Sequence, residues 1–121
     1  MRRKQPEAEL QRAICKLLAY ACNPGVVWFA VPNGGARSKT EAAIMKGLGV
    51  QRGVPDLAFV LPPGRAAFLE LKAKGGKVKK DSPQAVMRAR IEAAGGFCAE
   101  ADTIEKAIEI LRGWHVVRAA L

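Results

Sequence analysis

Leu10, Ala13, Ile14, Leu17, Leu18 and Ala21 recur at the i, i+3, i+4, i+7 spacing of a helix with one buried face, which predicts a helix over residues 6–21. Pro6 suits its first turn, where an N–H would have no intrahelical partner. After a turn at Asn23-Pro24-Gly25, the β-branched and aromatic run 26–31 predicts a largely buried strand that stops at Pro32-Asn33-Gly34-Gly35. Trp28 and Phe29 are expected in the core. Ser38 and Glu41 have capping-box spacing and Gly47 stands where a C-terminal cap would, so a short helix is expected over 39–46.

Two strands, 57–61 and 66–72, follow on either side of Pro62-Pro63-Gly64, and so short a connection makes them an antiparallel hairpin at the centre of a sheet. Ser82-Pro83 is a cap followed by a first-turn proline, opening a helix that ends before Gly95-Gly96. Residues 97–101 predict a fourth strand. Asp102 and Glu105 again have capping-box spacing, and Ile104, Ala107, Ile108 and Leu111 form the apolar stripe of a last helix. The tail 116–121 is apolar enough either to cover the core or to form an interface. Together these elements predict an α/β fold, a mixed sheet of about four strands flanked by helices in an αβββαβ core.

Length and composition agree with that picture. The chain has 121 residues, half of them hydrophobic, and no repeat or low-complexity tract, so a single domain over 1–121 is expected. No stretch approaches the roughly 18 apolar residues of a membrane span, and the start Met1-Arg2-Arg3-Lys4-Gln5-Pro6 lacks a secretory apolar segment, so the expectation is a cytoplasmic protein without a membrane partner. Cys15, Cys22 and Cys98 are odd in number and unclustered, and read as reduced, mostly buried thiols.

Charge changes the picture. The formal net charge is +9. Residues 1–33 carry five basic and two acidic side chains, 34–80 carry ten and three, and 81–121 carry five and six. A basic excess concentrated in the middle third favours an anionic partner such as nucleic acid over a merely solvated surface.

Within that basic third only three acids occur, and Asp56 and Glu70 fall at the ends of the two hairpin strands. A carboxylate near a buried strand is costly unless paired or bound to a cation, and carboxylate oxygens are the ligands hard cations prefer. Glu70 and Lys72 share a face of their strand, since side chains alternate with period two, while Leu71 packs on the other. Phosphodiester hydrolysis needs this combination. Carboxylates hold a metal that polarises the phosphate and acidifies a water, and an ammonium orients that water or neutralises developing charge. Asp…Glu-x-Lys alone is a weak pattern, because a surface ion pair between Glu70 and Lys72 has the same sequence.

The wider context is Gly53-Val54-Pro55-Asp56-Leu57, a hairpin, then Phe68-Leu69-Glu70-Leu71-Lys72. With Glu7, Leu10 and Gln11 in the first helix, Val31-Pro32-Asn33-Gly34-Gly35 with Arg37 and Ser38, and Gln84 opening the next helix, the sequence resembles the PD-(D/E)xK nucleases, which have a restriction-endonuclease-like fold, and more closely their VRR-NUC branch. The resemblance covers nearly the whole chain. It implies a Mg²⁺- or Mn²⁺-dependent deoxyribonuclease with no organic cofactor, in a bacterial or phage-infected cell. Asp56, Glu70 and the Leu71 carbonyl would be metal ligands, Lys72 the catalytic cation and Gln84 a polar partner. Glu7 would complete the metal site, and helical geometry supports it over Glu9, since Glu7 lies at the edge of the apolar face. A serine stands two positions before Gln84, where the family pattern commonly has three.

Phosphate contacts are expected from Lys74, Lys77, Lys79 and Lys80 on the loop after the catalytic strand, from Arg37, Lys39 and Arg52, and from the Asn33-Gly34-Gly35 loop. Stand-alone members of the branch include homodimers that cut branched DNA such as Holliday junctions, which implies the same here. The alternatives are a non-catalytic nucleic-acid-binding module and a nuclease subunit of a larger complex. His115 is given no role.

Overall fold

A computed structural model of the protein describes residues 5–32 and 38–119. The chain runs α1 (Gln5–Ala21), β1 (Val27–Ala30), α2 (Lys39–Gly47), β2 (Leu57–Leu61), β3 (Arg65–Leu71), α3 (Pro83–Ala93), β4 (Phe97–Ala101) and α4 (Ile104–Gly113). The four strands form one sheet in the order β1-β2-β3-β4. β1 and β3 are antiparallel to β2, and β4 joins β3 in parallel after the crossover through α3. The α/β class, the mixed four-stranded sheet and the central hairpin expected from the sequence are all present.

Strand alternation sorts the sheet into two faces. Leu57, Phe59 and Leu61 on β2 and Ala67, Leu69 and Leu71 on β3 are buried together with Ile14, Leu17, Leu18 and Ala21 of α1 and Ala107 and Leu111 of α4. The other face of β3 and β4, with Phe68, Glu70, Cys98 and Glu100, is half-buried. α3 packs on β4, and Arg88 of α3 donates to the Cys98 carbonyl at 3.2 Å. Val116 and Val117 are buried and Cys22 bridges to Val117, so this part of the tail closes the core rather than standing free as an interface.

Local signals operate largely as the sequence implies. Ser38 and Glu41 form the full capping box of α2, and the Ser82 hydroxyl accepts the Ala85 N–H with Pro83 in the first turn of α3. Other expectations need correction. Gly47 lies inside α2, and Gly49, at φ +94°, is the glycine that takes the left-handed conformation beyond its end. α4 is capped by Thr103, whose side chain accepts the Lys106 N–H, because the Asp102 carboxylate is bonded elsewhere. The first strand is not largely buried. It is a sheet edge with Val27 57% and Phe29 51% exposed, and only Trp28 packs against the core. The three cysteines are free and half-buried rather than buried, and burial pushes each thiol above its ordinary range. Among the described residues no helix is long and apolar enough to cross a membrane.

Candidate active site

Hairpin register brings the first two acids together. Leu57 pairs with Leu69, so one further step sets Asp56 opposite Glu70, and directly opposite antiparallel side chains stand about 5 Å apart at Cβ. Glu70 in turn pairs with Glu100 across the parallel β3–β4 ladder. Three carboxylates thus occupy adjacent strands on one face, with Lys72 one pleat further along β3.

Like charges in such a row repel, and each is compensated differently. Asp56 is buried, at 8% exposure, and its Oδ2 accepts the Leu71 N–H at 2.7 Å. Glu70 Oε2 lies 3.8 Å from Lys72 Nζ, with both side chains largely covered, so this is no freely solvated surface pair. Glu100 Oε2 accepts the Val78 N–H at 2.8 Å.

Pro55 bears on the carbonyl of Leu71 rather than on its N–H. It stands opposite Leu71 by register and has no N–H to return to the Leu71 carbonyl. N–H and C=O of one strand residue project to the same side, so that carbonyl faces the strand edge on which Asp56 sits. The local donor set is two carboxylates and a carbonyl, all oxygen, which fits a hard divalent cation. No three acidic, histidine or cysteine side chains among the described residues converge closely enough to hold a metal by themselves. Glu7 on α1 is half-buried and Glu9 exposed, and Glu7 is not gathered with Asp56 and Glu70.

The remaining expected residues fall into three groups. Gln84 is half-buried in the first turn of α3, where Gly53 is pressed against that turn: a Cβ on Gly53 would lie 2.8 Å from the Gln84 amide nitrogen. The loop carrying Asp56 and the start of α3 carrying Gln84 are therefore in direct contact. Arg52, Lys74, Lys77, Lys79 and Lys80 are exposed on the segments flanking the acids. Lys39 begins α2, which packs on no helix or strand among the described residues and buries none of its own side chains. Asn33, Gly34, Gly35 and Arg37 lie outside the described residues.

Sequence reasoning missed Glu100 and gave Asp102 a cap it does not provide. Both are on the sheet end beside Glu70 and Lys72, and Asp102 Oδ2 accepts the Gly75 N–H at 2.8 Å. That hydrogen bond, with smaller help from Lys106 and Lys74, holds the Asp102 carboxyl below its usual range. Its attachment to Gly75 thus persists above the ordinary carboxylate range and is lost only as pH falls through the lowered value. A groove of about 690 Å³ lies at the opposite end of the hairpin, between Pro63 and Trp114, and its lining contains no acid.

Asp56 has a structural duty separable from chemistry. Asp56→Ala is expected to lose about 1–3 kcal/mol of stability by leaving the buried Leu71 N–H without its acceptor, whereas Asp56→Asn retains an acceptor oxygen and most of the stability. Thermal melts of the two variants check this. Equal melting temperatures would show that the Asp56–Leu71 bond contributes nothing net.

No family model and no curated protein matches the sequence. Among solved structures, a VRR_NUC domain protein superposes with a TM-score of 0.73 at 20% identity, over 93% of this chain and 89% of that one. A second, described as a VRR_NUC domain, gives 0.59 at 18% identity, over 92% of this chain and 99% of that one. The fold is therefore the one seen in VRR-NUC domain proteins, shared over nearly the full length of both chains.

Proposed function

We propose that this protein is a divalent-metal-dependent DNA endonuclease, with Asp56 and Glu70 as metal ligands beside Lys72. The observation that supports this reading is the β2–β3 register, which continued one step past Leu57↔Leu69 sets Asp56 across from Glu70, together with Lys72 Nζ 3.8 Å from Glu70 Oε2 and exposed basic residues on the flanking segments. A structural ion pair needs no buried second carboxylate across the strand, and a non-catalytic binding module gains nothing from acids on a face meant for phosphate. The VRR-NUC-like fold supports the same reading.

Asp56, Glu70 and the Leu71 carbonyl would hold Mg²⁺ or Mn²⁺, with Glu7 as a candidate further ligand. When bound, such an ion polarises the phosphate and acidifies a water. Lys72 supplies a fixed ammonium against the charge that develops on the phosphoryl oxygens, and Glu70 holds that ammonium on the sheet face. Gln84, at the start of α3, would serve as a neutral polar partner of the site. Arg52 and the lysines at 74, 77, 79 and 80 hold the DNA backbone, while Arg37, Lys39 and the Asn33-Gly34-Gly35 loop are candidate contacts on the preceding segment.

Neutralising Lys77, Lys79 and Lys80 together is expected to weaken binding to all sequences alike and to flatten log K against log salt by roughly 0.9 for each lysine–phosphate pairing removed. An unchanged slope would exclude these lysines as phosphate ligands.

Action on branched DNA as a homodimer is part of the proposal. Its support is a set of exposed apolar side chains, Phe29 on β1, Ile44 on α2 and Leu48 at the end of α2, which are 51%, 58% and 76% exposed. Cleavage assays on single-stranded, duplex, flap and four-way-junction DNA, in Mg²⁺, Mn²⁺ or EDTA, test the activity and its preference. Light scattering tests the dimer. Metal-dependent cutting of junctions in preference to duplex is the expected result. Absence of cutting on every substrate would overturn the nuclease reading, and a monomer that cuts duplex as readily as junctions would remove the dimeric, branch-selective part.

A further inference from the structure

Glu100 and Asp102 pose a problem for a surface that receives a polyanion, because each carboxylate there repels phosphate. Their contacts resolve it. Glu100 lies on β4 across from Glu70, and Asp102 follows one residue past the end of that strand. Both reach the loop between β3 and α3. Asp102 Oδ2 takes the Gly75 N–H and Glu100 Oε2 takes the Val78 N–H, each at 2.8 Å. Hydrogen bonds from backbone N–H to a carboxylate are about twice as strong as neutral ones, so two of them are an effective tether for an exposed loop.

The loop has little else to order it. Its four lysines are exposed, and its internal bonds close only the turns at its two ends: Gly76 N–H to the Ala73 carbonyl at 2.7 Å, and the Ser82 N–H and hydroxyl to the Lys79 carbonyl at 3.2 and 2.6 Å. Lys77 stands between the two tethered amides, and Lys79 and Lys80 follow the second. The first tether also seats the loop against the candidate catalytic cation, since a Cβ on Gly76 would fall 3.3 Å from Lys72 Cβ.

We propose that Glu100 and Asp102 are positioning residues that tether the 73–82 loop to the end of β4, so that its lysines meet the DNA backbone in one fixed arrangement next to Lys72. This deepens the nuclease reading and rests on it. The two acids touch neither DNA nor reacting atoms. They act through the backbone of the loop, replacing the ordering that binding would otherwise have to impose.

The test compares the double variants Glu100→Ala with Asp102→Ala and Glu100→Gln with Asp102→Asn. Affinity for a duplex oligonucleotide is read by fluorescence anisotropy at fixed salt, and protection of the Gly75 and Val78 amides by hydrogen exchange on the free protein. Both pairs remove the same two negative charges, so an effect of charge alone would tighten binding equally in both. Tethering gives the opposite pattern. The alanine pair is expected to bind about tenfold more weakly despite its more positive charge, a loss of about 1.4 kcal/mol, and to lose protection at both amides, while the Gln/Asn pair, which keeps acceptor oxygens, recovers most of both. Tighter binding by the alanine pair, or unchanged amide protection, overturns the proposal. Should the alanine pair fail to fold, each single alanine variant makes the same comparison with its own amide. If the wild type binds no DNA, the nuclease reading fails, and amide exchange still reports the tether independently.

Discussion

Glu70→Ala is expected to lower DNA cleavage by about 10³-fold or more while leaving DNA binding equal or tighter. The size follows from what is removed: a carboxylate at the centre of the row, between Asp56 by continued register and Glu100, and paired with Lys72 of its own segment at 3.8 Å. Losing one preorganised electrostatic group at a reacting centre costs about 10²–10³ in rate. Glu70 serves as metal ligand and as the partner that holds the ammonium, so its loss falls at or beyond the upper end. Binding moves the other way, because a carboxylate beside phosphate repels it and the loop lysines are untouched. Cleavage and anisotropy measured on the same preparation check both halves. Joint loss of binding, cleavage and thermal stability would assign Glu70 a structural role and remove it from the chemistry. Lys72→Ala in the same assay should also abolish cutting, and leaves the acids in place.

The hairpin and its acids were legible in the sequence because the signals are local. Period-two alternation placed Glu70 and Lys72 on one face, and a connection as short as Pro62-Pro63-Gly64 leaves two strands little choice but to pair antiparallel. The caps at Ser38 and Ser82 were legible for the same reason, since donor and acceptor are three residues apart. What escaped depends on distant parts of the chain. Phe29 reads as core by residue type, but β1 is a sheet edge, and strand order is not encoded in the strand's own residues. Asp102 and Glu105 have the spacing of a capping box, yet Gly75 lies 27 residues away and takes the Asp102 carboxylate, leaving the cap to Thr103. Glu100 drew no notice because its alignment with Glu70 is set by the parallel register of β3 and β4, reached only through the α3 crossover. Two of the six acids in residues 81–121 are the ones whose carboxylates accept from the amides of the basic loop.

The second large effect is expected at a residue with no side chain. Gly53 sits at φ +81°, and a Cβ there would overlap the carbonyl of Pro83 and approach the Gln84 amide nitrogen to 2.8 Å. Gly53→Ala therefore meets two penalties, about 1–2 kcal/mol for the left-handed backbone and a further 1–3 kcal/mol for overlap with backbone atoms that cannot rotate away. Gly49 separates them. It has a similar φ of +94° but nothing within 4 Å of its virtual Cβ, so Gly49→Ala carries the conformational penalty alone. Gly53→Ala should accordingly melt well below Gly49→Ala. It should also lose cleavage under conditions where it remains folded, since relieving the overlap moves the 53–56 loop off α3 and with it Asp56, and a displacement of about 1 Å at a reacting centre costs on the order of 10²-fold. Gly49→Ala should keep nearly full activity. If the two variants melt together and cut equally well, the contact between Gly53 and the first turn of α3 does not position the site, and the proposed role of Gln84 loses its support.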